Sequence, residues 1–304
     1  MADNILQAAQ RWAPELDKKA IQAAVTGNFA DNVLRAKFVG AKTVIIPELD
    51  MGGLATYNRD TGFVKGSLVV AGTPYTLSQD RGRTFSIDAQ DEDETGVANL
   101  AGQVMSEFIR TKVAPEMDAY VLSKLGAHAI AEGTTVTVSS NKYCDAIVTA
   151  ITAAHNAVGF DEDLICYINA DTYAKLMNDA GLSKYIRVDE FKRGEITTRV
   201  KYINDVPIIP VTDARMYTAF TFNDGTTAGQ EEGGFVPANT TALGFVVVPR
   251  RAVSLVRKTE KVRVFAPDVN QSADAYKFDF RIYYDCFIKN SMRGAVFAYT
   301  YTKA

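Results

Sequence analysis

Catalytic and metal-binding chemistry near neutral pH draws mostly on histidine and cysteine. This chain of 304 residues has only two histidines, His128 and His155, and three cysteines, Cys144, Cys166 and Cys286. They are scattered. The sequence has no C-x-x-C, no H-E-x-x-H and no G-x-S-x-G, so neither a zinc site nor an activated serine is spelled out. G-x-G-x-x-G is absent too, and residues 62–67 (GFVKGS) have the wrong spacing for a phosphate loop. Both histidines fall in or just after helical patterns, where a packed or partly exposed imidazole is the plainer reading. The acidic run Asp91-Glu92-Asp93-Glu94 invites one more test. Asp91, Asp93, Thr95 and Gly96 match the opening of a calcium loop, but its twelfth position, where a bidentate carboxylate is needed, is Gly102. The run reads instead as acids at a helix N-terminus, complementing the helix dipole. No catalytic residue, no cofactor and no metal is expected.

Composition narrows the class. Hydrophobic residues are 47 % and charged residues 23 %, enough apolar material for a core and too much for a disordered chain. No apolar run approaches the ~20 residues of a membrane helix. The start, MADNILQAAQRW, lacks the basic-then-apolar pattern of a signal peptide. Three distant cysteines predict reduced thiols in a cytosol. The net charge of −3 excludes a chain that is basic as a whole. One basic cluster remains: Arg250, Arg251, Arg257, Lys258, Lys261 and Arg263, interrupted by Glu260. A surface facing DNA, carried by Arg250, Arg251 and Lys258, and salt bridges to a neighbour's acids are both open readings.

Any such residues must be positioned by the elements around them. Residues 4–10 and 15–25 predict helices, but Leu16, Ala20, Ala23 and Ala24 give only a thin apolar stripe. Such an arm buries little of its own and is expected to dock elsewhere, on another subunit. Strands are expected at 33–38 and 43–46. Residues 50–74 carry five glycines and predict a long hairpin excursion that cannot hold itself by its own core. It needs a partner surface, or it is a mobile loop. Residues 75–88 read as strand broken by a turn at Asp80-Arg81-Gly82. Residues 97–125 give the longest helical pattern, with a kink or break expected at Pro115. A second lobe of mixed α/β character follows: a helix at 143–158, a strand at 164–168, a helix at 170–178 capped by Asn169 or Asp171, and a strand at 206–211. Pro207 and Pro210 mark that last strand as an edge or terminus. The polar stretch 221–234 is expected at the far tip of this lobe. Strands at 243–248 and 275–287 follow, and a last one from Gly294. The strand at 275–287 alternates most clearly, with Phe278, Phe280, Ile282, Tyr284 and Cys286 on one face.

An arm, a long hairpin, a long helix and a middle lobe describe a scaffold that assembles. With these residues in view the chain resembles the major capsid proteins of tailed bacteriophages, of the Hong Kong 97-type fold. The likeness is to those of siphovirus-like phages and prophages of Gram-positive bacteria. It is carried by Tyr57-Asn58-Arg59, Thr61-Gly62-Phe63, LSQDRGR at 77–83, Phe85, Asp88 and Asp91 to Glu94. EFIRTKVAPEMDAY at 107–120 and residues 204–210 carry it as well. It runs in order over essentially the whole chain.

The resemblance implies an α+β fold in five parts. These are an N-terminal arm (1–38), an extended β-hairpin loop lying over the adjacent subunit (39–86), and a peripheral domain with a long spine helix (87–134). An α/β axial domain (135–248) and returning β-strands of the peripheral domain (249–304) follow. It implies self-assembly into pentamers and hexamers of an icosahedral head that encloses double-stranded DNA without sequence specificity. It also implies a portal and, in some relatives, a decoration protein. No long N-terminal scaffolding segment precedes the arm, so a separate scaffolding protein, or prior proteolysis, is implied; the initial methionine speaks against proteolysis. Assembly would take place in the host bacterial cytoplasm, without a membrane. The candidate interface residues are Tyr57, Arg59, Lys65, Asp80, Arg81, Arg83, Asp91 and Glu94, with Arg81 and Arg83 set against acids such as Asp91 or Glu94. Some relatives join neighbours by an isopeptide bond between a loop lysine and a distant asparagine; Lys65 and Asn290 lie in such regions, with no motif pairing them. An encapsulin-like compartment shares the fold but encloses cargo protein. An enzyme with an unmarked site and a tail-tube subunit are the other readings, and the long helix fits a β-rich tube badly.

Overall fold

The clearest alternation in the sequence becomes the strand β14, introduced below, with its five apolar residues buried along one face. The computed structural model describes residues 24–33, 37–39, 43–60, 62–88, 101–179, 181–182, 186–193 and 196–303. The expected helix at 4–10, nearly all of that at 15–25, and Asp91 and Glu94 lie outside the described residues.

After a 3-10 helix (Val25–Val33) come the strands β1 (Lys37–Val39), β2 (Thr43–Met51), β3 (Leu68–Thr76) and β4 (Gln79–Asp88). The first three form an antiparallel sheet in which β2 and β3 are the two sides of the expected hairpin. Helices α1 (Ala101–Phe108) and α2 (Ala114–Ala131) are joined by a π-helical segment, Ile109–Val113. The strand β5 (Thr135–Val136) leads to α3 (Tyr143–Val158), β6 (Leu164–Asn169) and α4 (Ala170–Met177), whose first turn is capped by Asn169 accepting from Thr172 N. Then follow β7 (Ile186–Arg193), β8 (Ile196–Ile203), β9 (Val206–Val211), β10 (Phe220–Phe222), β11 (Phe235–Pro237), β12 (Thr241–Pro249), β13 (Val253–Phe265), β14 (Ala275–Ile288) and β15 (Phe297–Thr302).

Two larger sheets organise the body. One runs β5-β15-β12-β6-β9-β8-β7, the other β13-β14-β4. Successive residues of β6 and β12 point to opposite faces and into different cores. Ile165, Tyr167, Val246 and Val248 join the core under α2, with Met117, Val121, Leu122 and Leu125. Cys166, Ile168, Phe245 and Val247 join the core under α3 and α4, with Ile147, Ile151 and Leu176. A register shift between Leu243 and Phe245 puts Leu243 on the α2 side as well. There the side chain of Leu243 fills the space a Cβ on Gly126 would need, 2.5 Å away, so α2 comes close to the sheet.

Several expectations are corrected. Residues 80–82 make no turn: β4 runs through them, paired with β14 along its whole length. The long helix passes through π register before Pro115 and does not break. Ala114 N–H bonds Ile109 O, five residues back, and this wider turn accommodates the amide donor that Pro115 lacks. β9 is an interior strand despite its prolines. It pairs with β6 on one side, while on the other its pairing with β8 covers only its first three residues and stops before Pro210. The final strand begins at Phe297, because residues 290–295 form a 3-10 helix. Residues 249–304 divide between sheets: β13 and β14 stay with β4, and β15 joins β12 in the larger sheet.

Candidate assembly site

The tip of the β2–β3 hairpin is the most exposed apolar surface among the described residues. Leu54 is fully exposed, Phe63 is 88 % exposed, and Met51, Tyr57, Val64 and Leu68 are more than half exposed. The Tyr57 and Phe63 rings lie 4.8 Å apart, and Asn58 and Gly62 close a small bridge between them, with Gly62 at φ 80°. The tip is thus locally ordered although no core lies behind it. Arg59 and Lys65 are exposed on it.

The hairpin is held at its root. Val44, Tyr75 and Leu77 pack against Val256, Tyr283 and Phe287, on the face of β13 and β14 away from the main core. Beside this cluster Asp285 is almost fully buried. It accepts from Ser78 N at 3.0 Å, from the Tyr120 hydroxyl at 2.8 Å and from Lys124 Nζ at 2.5 Å. Burial disfavours the Lys124 charge, but the hydrogen bond to Asp285 outweighs it and raises the lysine pKa above its ordinary value. The hairpin root is therefore tied to α2 and β14 by one carboxylate.

Arg81 makes the second junction. Its guanidinium pairs with both carboxylate oxygens of Glu116, at 2.7 and 3.2 Å, and donates to Asn223 O and Gly234 O. Burial works against its charge, and Glu116 more than compensates, raising its pKa. Arg83 donates to Glu231 O. The two arginines thus gather the 223–234 segment onto β4 and α2. This corrects the expectation that the segment lies at a far tip: two bonds from Arg81 and one from Arg83 hold its carbonyls. Arg81 has Glu116 as its partner, which sequence reasoning missed because it lies 35 residues away. Asp80 is engaged within the subunit too, with Arg281 at 2.8 Å.

A third junction lies at the base of the arm. Asp118 is fully buried and accepts from Val25 N, Thr26 N, the Thr26 hydroxyl and Arg215. Burial raises its pKa, against the pull of those four donors.

No protein-family model and no curated protein matches the chain. Solved structures do match. The capsid structure of the cyanophage P-SCSP1u superposes with a TM-score of 0.54 at 11 % identity, over 86 % of this chain and 84 % of that one. The mature capsid of bacteriophage PhiM1 gives 0.53 at 13 % identity, over 85 % and 82 %. The capsid of an empty GTA particle gives 0.51 at 11 % identity, over 91 % and 90 %. The fold is of the Hong Kong 97 type.

Within the Hong Kong 97-type frame the candidate residues separate into two groups. Tyr57, Arg59 and Lys65 lie on the open tip, while Asp80, Arg81 and Arg83 make contacts inside the subunit. Of the basic candidates, Arg250 and Arg251 sit in the turn after β12 beside acids of the α3–β6 connection. Arg250 N bonds Asp163 O at 2.8 Å, and Arg251 reaches Glu162 at 3.4 Å. Lys258 lies on β13, and its side chain is outside the described residues. No three His, Cys, Asp or Glu side chains gather as a metal site among the described residues, and no helix there is long and apolar enough to cross a membrane.

Proposed function

We propose that this chain is the major capsid protein of a tailed bacteriophage, assembling through pentamers and hexamers into an icosahedral head around double-stranded DNA. The observation that carries the reading is the hairpin. It presents a row of exposed apolar side chains at the end of an arm, on a body whose fold is that of solved capsid subunits. Leaving Leu54 and Phe63 in water forgoes roughly 1.5–3 kcal/mol each, which contact with a neighbour recovers. Many such contacts per shell act together, so each can be modest. The expected scaffolding protein, portal and decoration protein belong to this reading, as does a siphovirus-like phage or prophage of Gram-positive bacteria; these rest on the sequence resemblance.

Electron microscopy of the chain expressed with its neighbouring genes tests the proposal. Closed shells or their capsomers are expected, and a chain that stays monomeric at high concentration overturns it. The contents of purified shells decide the finer point. Nuclease-resistant DNA supports a phage head; a packaged protein in place of DNA supports an encapsulin-like compartment.

A further inference from the structure

We propose that Asp118 is a latch: through it Arg215, and α4 behind Arg215, hold or release the segment where the N-terminal arm joins the body. That segment is the 3-10 helix Val25–Val33, nine residues in a conformation that seldom runs beyond about four. It opens with Val25, Thr26 and Gly27, all poor helix formers. Ala24, whose carbonyl accepts the first bond of the turn from Gly27 N, has no side-chain acceptor to cap it. Asn28 is buried, and neither polar atom of its amide finds a hydrogen-bond partner among the described residues. Nothing local selects this conformation, so it has to be imposed from outside.

The missing cap comes from α2. One oxygen of Asp118 accepts from Thr26 N at 2.9 Å and the Thr26 hydroxyl at 2.8 Å, and the other from Val25 N at 3.0 Å and Arg215 at 3.1 Å. Both oxygens are thus fully engaged, and of the four donors only Arg215 carries a charge. A carboxylate this deeply buried needs that cation, because without it the group takes up a proton or turns away, and either change gives up bonds to the arm base. Arg215 is itself held from the far side. It stands in a short 3-10 turn, Asp213–Arg215, after β9. Asp213 accepts from Asp171 N, in the first turn of α4, at 3.2 Å and pairs with Lys303, beyond β15, at 3.4 Å. A chain of contacts therefore runs from α4 through Asp213, Arg215 and Asp118 to the arm base. A shift of about 1 Å in that turn carries Arg215 out of hydrogen-bond range, so the latch opens over a small movement. A partner that grips α4 or the 213–215 turn then acts on the arm without touching it, and by linkage a pull on the arm acts on that turn. The shell reading enters only in what the arm and α4 would meet; the latch belongs to a single subunit.

The test is amide hydrogen exchange of the whole chain before assembly, read residue by residue by NMR. Arg215→Gln should speed exchange at Val25 and Thr26 by about tenfold or more, while Val121 and Leu122 of α2 keep their protection. Arg215 sends one N–H to Asp118, a bond an ammonium can also make, so Arg215→Lys should restore most of the protection. Asp213→Ala alters neither Asp118 nor the arm base, yet it should speed the same two amides about threefold, because the turn that carries Arg215 loses its anchors. Unchanged exchange at Val25 and Thr26 in Arg215→Gln, an equal rise in α2, or a lysine that restores nothing overturns the latch. Asp213→Ala without effect overturns its connection to α4. Since the subunits are measured unassembled, these failures leave the shell reading standing, and a chain that forms no shells leaves the latch standing.

Discussion

Gly82 lies opposite Arg281 in the β4–β14 pair, and a Cβ placed on it would come within 2.8 Å of the Phe280 carbonyl oxygen. That oxygen belongs to the backbone of a paired strand and cannot swing aside. Read in the sequence between Asp80-Arg81 and Arg83, the glycine suggests a turn; in the structure it permits two strands to approach closely. Gly82→Ala should lower stability by about 1–3 kcal/mol, seen as a reduced Tm of the unassembled subunit. An unchanged Tm would mean that β4 can move off β14 at no cost. The neighbouring Arg81 is suited to its place as arginine, because only a planar fork can grip Glu116 with two hydrogen bonds and still reach two carbonyls.

The hairpin and the segment 223–234 are elements that lack cores of their own and depend on a few anchors. For the hairpin the central apolar anchor is Leu77, 3 % exposed in the root cluster. Leu77→Ala should cost roughly 2–4 kcal/mol and also reduce particle yield, since an unanchored arm loses its direction. Normal yield from a subunit so destabilised would show that assembly orders the root by itself. The segment 223–234 is shaped by Asp224, which accepts from Thr227 N, the Thr227 hydroxyl and Thr226 N. These bonds, that from Thr227 N foremost, hold its carboxyl well below the usual carboxylate range. With the folded pKa depressed, its contribution is complete above the ordinary value near ~4 and is lost as pH falls through the folded one. The amide resonances of Thr226 and Thr227 should therefore stay fixed from pH 7 to about 4 and move only in stronger acid. Asp224→Asn should abolish that acid transition; its persistence in the variant would assign it to another group.

At the scale of the whole molecule, the seven-stranded sheet is shared. Alternate residues of β6 and β12 enter the core under α2 and the core under α3 and α4, so neither core can lose its strands without exposing the other. The part of the chain that reads as a separate lobe is thereby coupled to the spine helix. The unassembled subunit should melt in a single calorimetric transition, with calorimetric and van't Hoff enthalpies equal. Two resolved transitions would show that the cores unfold independently.

The sequence by itself determined whatever depends on local periodicity: α3 and β14 almost to the residue, a cap at Asn169 or Asp171 of which the structure uses Asn169, the hairpin, and the scarcity of chemistry-bearing residues. The resemblance over 77–94 and 107–120 led to the fold. Tertiary structure alone decided how these parts meet. Proline in β9 signals an edge or a terminus, yet β9 lies inside the sheet, because its pairing with β8 stops before Pro210. Pro115 signals a kink or a break without choosing between them, and a π turn takes up the missing donor while Ile109 and Met117 stay buried in the same core. Glu116 for Arg81, Asp285 for Ser78 and Asp118 for Thr26 are pairings across 35 to 207 residues. No local pattern encodes them, because a charge chooses its partner only after folding has removed the water that would otherwise solvate both.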